Sequence, residues 1–161
     1  MTARTVLPAS PEARLAALGL TLPPAPEPIA NFVPCRRVGQ LLFLSGQGPV
    51  HPDGTLCTGK VGAGVDVASA YDHARLTGVN LLAVMREALG SLDRVEAVVK
   101  LLGMVNAAPD FGEHPKVING CSDLMMEVFG ADGIHARSAV GVGSLPNRIT
   151  VEIEAIVAVR D

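Results

Sequence analysis

Residues 135–159, HARSAVGVGSLPNRITVEIEAIVAV, contain the clearest strand pattern of this chain. From Val151 to Val159 every second residue is apolar, whereas Glu152 and Glu154 occupy alternate positions at the start of the same run. Successive side chains of a β-strand point to opposite faces, so this period of two predicts a strand from Ile149 to Val159 with one buried face. The other face of this strand begins with the carboxylates of Glu152 and Glu154.

The segment from Ala136 to Val142 predicts a second strand just before the first. If the two strands pair as a hairpin, Arg137 lies opposite Glu154 and diagonal to Glu152, on one polar face. Two interpretations follow. The arginine and the glutamates form a cross-strand ion pair, which contributes about 0.2–1 kcal/mol, or the arginine binds the carboxylate of a small ligand through two parallel hydrogen bonds.

The hydrophobic pattern further upstream completes the order βββαβαββ, which indicates an α+β fold. It predicts strands at residues 32–38, 41–45, 55–58 and 95–105, and helices at residues 66–89 and 114–129. Apolar residues recur at spacings of three and four in the longer helix, where Asp66 is suited to the N-cap and Gly90 to the C-cap. We expect these elements to form one domain from residue 31 to residue 161.

Residues 1–30 read as a separate N-terminal unit. Pro11 to Leu20 has helical composition, with Ser10 as a candidate N-cap and a proline at the first helical position. The following stretch at 21–30, TLPPAPEPIA, is too rich in proline for a helix and predicts an extended connector. Because the helix would otherwise expose several leucines, we expect it to dock on the domain.

The composition is that of one compact protein of 161 residues, with 48% hydrophobic and 18% charged residues. Its net charge of −3 argues against nucleic acid as a partner, because nucleic-acid binding needs a basic surface. No apolar run approaches the roughly 20 residues of a membrane span, and the N-terminus lacks the apolar stretch of a signal peptide. We therefore expect a cytoplasmic protein with no membrane partner.

Several familiar sites are not supported by the sequence. Gly62-Ala63-Gly64 precedes a helix, but it lacks the third glycine and the parallel βαβ unit of a dinucleotide-binding loop. Ser45 stands in LSGQG, which is not a nucleophile elbow. The four histidines share no metal-ligand spacing; they lie at positions 51, 73, 114 and 135. The three cysteines, at 35, 57 and 121, are typical of reduced thiols.

Two blocks carry a resemblance to a known family. VGQLLFLSGQGPVHPDG, a long amphipathic helix and then HARSAVGVGSLPNRITVEIEAIVAV resemble the RidA/YjgF family of enamine/imine deaminases. The similarity extends over residues 31–161, and the N-terminal unit resembles a longer subgroup. The resemblance implies a chorismate-mutase-like fold of the bacillus type, a mixed sheet backed by two helices. It also implies a homotrimer with ligand sites in the clefts between subunits.

The resemblance assigns roles to four residues. Arg137, in HARS, matches the arginine that holds the substrate carboxylate. Glu152, the first acid of VEIE, matches the glutamate that orients the attacking water. Ser45, in SGQ, and Asn119, in the second long helix, match two further ligand-binding positions.

Three positions depart from the family pattern. Phe32 replaces a tyrosine and so removes a hydroxyl group. Ala139 replaces a cysteine two residues after the arginine, and His135 replaces a proline. Phe32 and Ala139 are accordingly expected to line the substrate site without polar contacts.

The implied reaction is hydrolysis of a 2-enamine or 2-imine acid, such as 2-aminoacrylate, to a 2-keto acid and ammonia, with no metal or other cofactor. An arginine fork is suited to the substrate carboxylate, and a glutamate near the imine carbon can act as general base. The alternative is a non-catalytic sensor of small carboxylates. A deaminase needs Glu152 and a path for water, whereas a sensor needs only Arg137.

Overall fold

The computed structural model describes residues 8–161; the first seven residues of the predicted N-terminal unit lie outside them. The strands are β1 Cys35–Val38, β2 Leu41–Gln47, β3 Lys60–Val61, β4 Gly64–Val65, β5 Val95–Asn106, β6 Ala136–Val142 and β7 Val151–Val159. The helices are α1 Pro11–Ala17, α2 Val67–Leu89 and α3 His114–Phe129. Five strands form one mixed sheet in the order β1-β2-β7-β5-β6, in which only β5 and β6 run parallel.

Helices α2 and α3 cover one face of this sheet. The Asp66 side chain caps α2 by accepting the Ser69 N–H at 2.7 Å, and Gly90 ends the helix in the left-handed conformation with φ 79°. The two helices cross closely at Gly120, where a methyl group would overlap the Tyr71 carbonyl. The core lies between these helices and the buried side of β5 and β7. Both long helices predicted from the sequence are confirmed.

The opposite face of the sheet remains largely exposed, and the proline-rich connector reaches it only beside Glu152. Three large apolar side chains on this open face remain exposed: Leu41 at 38%, Phe43 at 42% and Val140 at 42%. Glu152 and Glu154 of β7 point to the same side, because their neighbours in the strand are buried on the helix side. The open face therefore combines exposed apolar side chains with two carboxylates on its central strand.

The predicted hairpin between the last two strands is wrong. Strand β6 pairs in parallel with β5, with Arg137 beside Leu101, and β7 pairs with the other side of β5. Two features explain the difference. Strand β5 is apolar enough for the centre of a sheet, and the loop after β6 crosses the sheet end through a short 3-10 turn, Pro146–Arg148. Arg137 therefore does not lie opposite Glu154.

The third predicted strand, at residues 55–58, is also wrong. That segment makes only isolated bridges, including Thr58 with Ile149, and the short strands β3 and β4 follow it. Gly59, at φ 126°, turns the chain away before a ladder can form. The first strand is shorter than predicted and begins at Cys35, after Pro34.

Helix α1 packs on the domain, as expected for the N-terminal segment. Leu15 is 2% exposed and belongs to the main core. The Glu12 carboxylate accepts hydrogen bonds from the Arg86 guanidinium and from the Leu92 N–H. The helix ends at Ala17 rather than at residue 20. Among residues 8–161 there is no helix with the length and apolarity that crossing a membrane requires.

Candidate functional site

Arg137 lies on the edge strand β6 and is held by helix α3. Its Nη1 donates hydrogen bonds to Asn119 Oδ1 at 2.8 Å and to Ser122 Oγ at 3.0 Å. Its Nη2 lies 3.5 Å from the Pro115 carbonyl oxygen. No carboxylate within residues 8–161 forms a salt bridge with it. The ion-pair interpretation therefore does not describe this chain.

The remaining donors of Arg137 form a usable edge. A guanidinium carries five N–H groups in a fixed plane, and Asn119 and Ser122 occupy the two on Nη1. The Nε–H and an Nη2–H make no short hydrogen bond to the described part of the chain. These two point along one edge of the plane, which is the geometry that a carboxylate accepts with both oxygens.

A chain of hydrogen bonds fixes the arginine from behind. The Ser122 hydroxyl lies 2.9 Å from His135 Nε2, and His135 Nδ1 lies 2.6 Å from the Gly133 carbonyl oxygen. Since that carbonyl only accepts, Nδ1 carries the proton; Ser122 donates to Nε2 and accepts from Arg137. Ser122 was missed in the sequence, although it follows Asn119 by three residues and so shares its helix face.

Glu152 lies on the open face of β7, half-buried beside Glu154. Burial, and secondarily the charge of Glu154, raises the pKa of the Glu152 carboxyl. A β-bulge in β2 between Leu44 and Gln47 brings Gly46 against this side chain. A Cβ at Gly46 would lie 2.7 Å from the Glu152 Oε1 atom. The glycine of the SGQ motif is thus required for close approach to the carboxylate.

A cavity of about 600 Å³ opens beside Glu152. Phe32 lines it, together with the end of the proline-rich connector and the turn after β6. Its apolar wall includes Ile29, Phe32, Val50, Leu56 and Ile149. The structure therefore brings Phe32 and Glu152 to one cavity, as a shared ligand site would need.

Ser45 and Ala139 lie outside that cavity. The Ser45 hydroxyl donates to the Val33 carbonyl at 2.7 Å, and the residue lines a shallower depression of about 280 Å³ that also contains Glu154. Ala139 lies two residues after Arg137 on the same side of β6 and packs against the core.

The two residues expected to do the chemistry are separated within one chain. Arg137 pairs with Leu101, which pairs with Ala155, so all three point toward the helices. Glu152, three residues before Ala155, points to the open face. Strands β6 and β7 are two strand spacings apart, and Glu152 lies three residues along β7 from the position level with Arg137. The Cα atoms of Arg137 and Glu152 are therefore about 14 Å apart. One small molecule cannot contact both in a single copy.

The cysteines are not activated. Burial raises the pKa of the Cys121 thiol to about 12. The pKa of Cys57 is raised by burial, and that of Cys35 by burial and then by the charge of Glu87. All three remain thiols at neutral pH, so none is a candidate nucleophile.

Comparison with known proteins places this architecture in a family. Residues 12–151 match the family described as "YjgF/chorismate_mutase-like, putative endoribonuclease". The chain belongs to the YjgF/RidA family. The resemblance noted in the sequence is thereby confirmed, and so is the α+β, chorismate-mutase-like fold.

Three relatives of this YjgF/RidA chain illustrate the similarity. Protein TCP17 of Trypanosoma cruzi is 44% identical over 146 residues, which are 90% of this chain and 91% of that protein. A 2-iminobutanoate/2-iminopropanoate deaminase of Dermatophagoides farinae is 32% identical over 141 residues, 87% of this chain and 94% of that protein. The crystal structure of protein Atu1372 from Agrobacterium tumefaciens is 47% identical, with a TM-score of 0.85, and the match covers 93% of this chain and 94% of that one.

Proposed function

We propose that this protein hydrolyses 2-imino and 2-enamino acids to 2-keto acids and ammonia. The observation that carries the proposal is the free edge of Arg137, which is held rigid by Asn119 and Ser122 without a carboxylate partner among residues 8–161. A relative that is 32% identical is named a 2-iminobutanoate/2-iminopropanoate deaminase, which gives the substrate class.

Arg137 binds the substrate carboxylate through its Nε–H and Nη2–H. A hydrogen bond to a charged group contributes about 1.5–3 kcal/mol, so a bidentate pair supports roughly millimolar affinity. That is weak binding, but 2-imino acids react readily with water. The protein needs only to place the imine carbon and a water molecule next to each other.

Glu152 acts as the general base. It takes a proton from a water molecule while the water oxygen bonds to C2, and the C=N bond becomes a C–N bond. The proton then passes to the nitrogen, which gives a carbinolamine. When the hydroxyl proton also moves to the nitrogen, the C=O bond forms as the C–N bond breaks, and a keto acid and ammonia leave. Burial and Glu154 raise the pKa of Glu152, which makes its carboxylate a stronger base at neutral pH.

A complete site needs two copies of the chain. Arg137 and Glu152 face opposite sides of one sheet, so they meet only where the β6 edge of one copy approaches the open face of another. The exposed apolar residues Leu41, Phe43 and Val140 on that face favour such contact. A cyclic arrangement repeats this unlike pair of surfaces around a ring, and we propose a homotrimer.

Two observations favour a non-catalytic sensor of small carboxylates as the second candidate. Phe32 brings no hydroxyl to the Glu152 cavity, and the Ser45 hydroxyl is already bonded to the Val33 carbonyl. Fewer polar groups would orient a substrate less tightly, whereas Arg137 alone still binds a carboxylate. The endoribonuclease description of the family has less support here, since the chain carries a net charge of −3.

The test is ammonia release from 2-iminopropanoate generated in situ by an amino-acid oxidase. We expect wild type to accelerate hydrolysis, Arg137→Ala to lose both acceleration and pyruvate binding, and Glu152→Gln to keep binding while losing most of the rate. Arg137→Lys should not restore activity, because an ammonium cannot reproduce the planar fork. Pyruvate binding without any acceleration in wild type would establish the sensor instead.

A further inference from the structure

The proline-rich connector, residues 21–30, supplies part of the wall of the Glu152 cavity. Upstream of the wall, Ala25 packs against the hydrophobic core. Downstream, the Val33 carbonyl accepts a hydrogen bond from the Ser45 hydroxyl of β2 at 2.7 Å. Prolines between these points fix the backbone. The wall is therefore held at both ends and stiff between them.

The side chains that line the cavity favour uncharged, apolar groups over anions. Two carboxylates, Glu27 and Glu152, line it, and the described lining residues include no lysine, arginine or histidine. A substrate carboxylate is repelled from such a surface and stays with Arg137. The apolar side chains remain available, since Ile29 is 77% exposed and Phe32 is 45% exposed. The part of a substrate that enters here is thus uncharged and apolar.

The volume exceeds what a three-carbon acid needs. At about 600 Å³, the cavity is within the range of roughly 300–1,000 Å³ typical of sites for larger ligands. Each substrate methylene that is buried against apolar side chains increases binding by about fourfold. A branched four-carbon side chain therefore gains substantially over a methyl group.

We infer that the connector makes this protein selective for 2-imino acids with large apolar side chains, and that Ile29 is a specificity-determining residue. The inference rests on the proposed function, because it assigns the cavity to the side chain of the same substrate. The carboxylate lies at Arg137 of one copy, the imine carbon lies at Glu152 of the next, and the side chain lies between Ile29 and Phe32.

The test compares kcat/KM for imines generated in situ from leucine and from alanine. We expect wild type to favour the leucine-derived imine. Ile29→Asp should lower that preference by about tenfold, because it replaces apolar contact with a charge. The matched control is Leu18→Asp, since Leu18 is an exposed leucine of the N-terminal unit that does not line the cavity. It should leave the preference unchanged.

A second measurement separates this inference from the proposed function. Calorimetry on the full chain gives the ratio of Kd values for 4-methyl-2-oxopentanoate and pyruvate. If no imine is turned over, the proposed function fails, yet a tighter Kd for the larger keto acid that Ile29→Asp abolishes still supports the selective cavity. An equal or reversed preference in wild type, or a preference that Ile29→Asp does not change, would overturn the inference.

Discussion

Gly46→Ala tests whether the position of the Glu152 carboxylate controls the rate. The backbone at Gly46 is one that any residue adopts, so the substitution introduces only a methyl group. That methyl would lie 2.7 Å from Glu152 Oε1 and 3.0 Å from both Cγ and Cδ. Favourable contacts between carbon atoms need about 3.5–4.0 Å. The carboxylate must therefore retreat by roughly 0.5–1 Å, and a misplacement of about 1 Å can cost on the order of 100-fold in rate.

The expected result is a fall in kcat/KM of about 10- to 100-fold with pyruvate binding retained. The melting temperature should change little, because the clash falls on the end of a flexible side chain. Gly112→Ala is the matched control, since nothing lies within 4 Å of its added Cβ. If Gly46→Ala has wild-type activity while Glu152→Gln is inactive, the required geometry of the carboxylate has been misjudged.

Three further changes probe the support of the site and the fold. Ser122→Ala removes one anchor of Arg137, and calorimetry should show pyruvate binding weakened by about three- to tenfold, as expected for one hydrogen bond; unchanged affinity would show that Asn119 alone fixes the guanidinium. Burial raises the pKa of Glu152 in the folded state, so stability from its protonated form is lost as pH rises through that pKa. Glu152→Gln should therefore have a higher melting temperature than wild type at pH 7, and the two melting temperatures should agree below about pH 4. A lower melting temperature of the variant at pH 7 would contradict this. Leu15→Ala should cost about 2–5 kcal/mol in chemical denaturation, because Leu15 is 2% exposed in the core; a loss under about 0.5 kcal/mol would mean that α1 contributes no stability.

The elements that the sequence predicted well are those with a strong local pattern. Helix α3 begins and ends where its apolar spacing and His114-Pro115 indicated, and the alternation in β7 was confirmed residue by residue. Both signals depend on which face of a single element is buried. They therefore need no knowledge of neighbouring elements.

The pairing of β6 could not be predicted from the same information. The short separation of β6 and β7 in the sequence favoured a hairpin between them. In the structure β5 lies between β6 and β7, because its own side chains fill the centre of the sheet. That error put Arg137 on the same face as Glu152. Of the two α3 residues that bind Arg137, only Asn119 was predicted, from the family resemblance. Ser122 was identified only from the structure.

Complementation between two inactive variants tests the central claim most directly. Arg137→Ala and Glu152→Gln are each expected to lack deaminase activity, and they are co-expressed with different tags in equal amounts. If every site takes Arg137 from one copy and Glu152 from its neighbour in a ring, random assembly regenerates about one quarter of wild-type activity. Activity no higher than that of either variant alone, in oligomers shown to contain both, would contradict a site built from two copies.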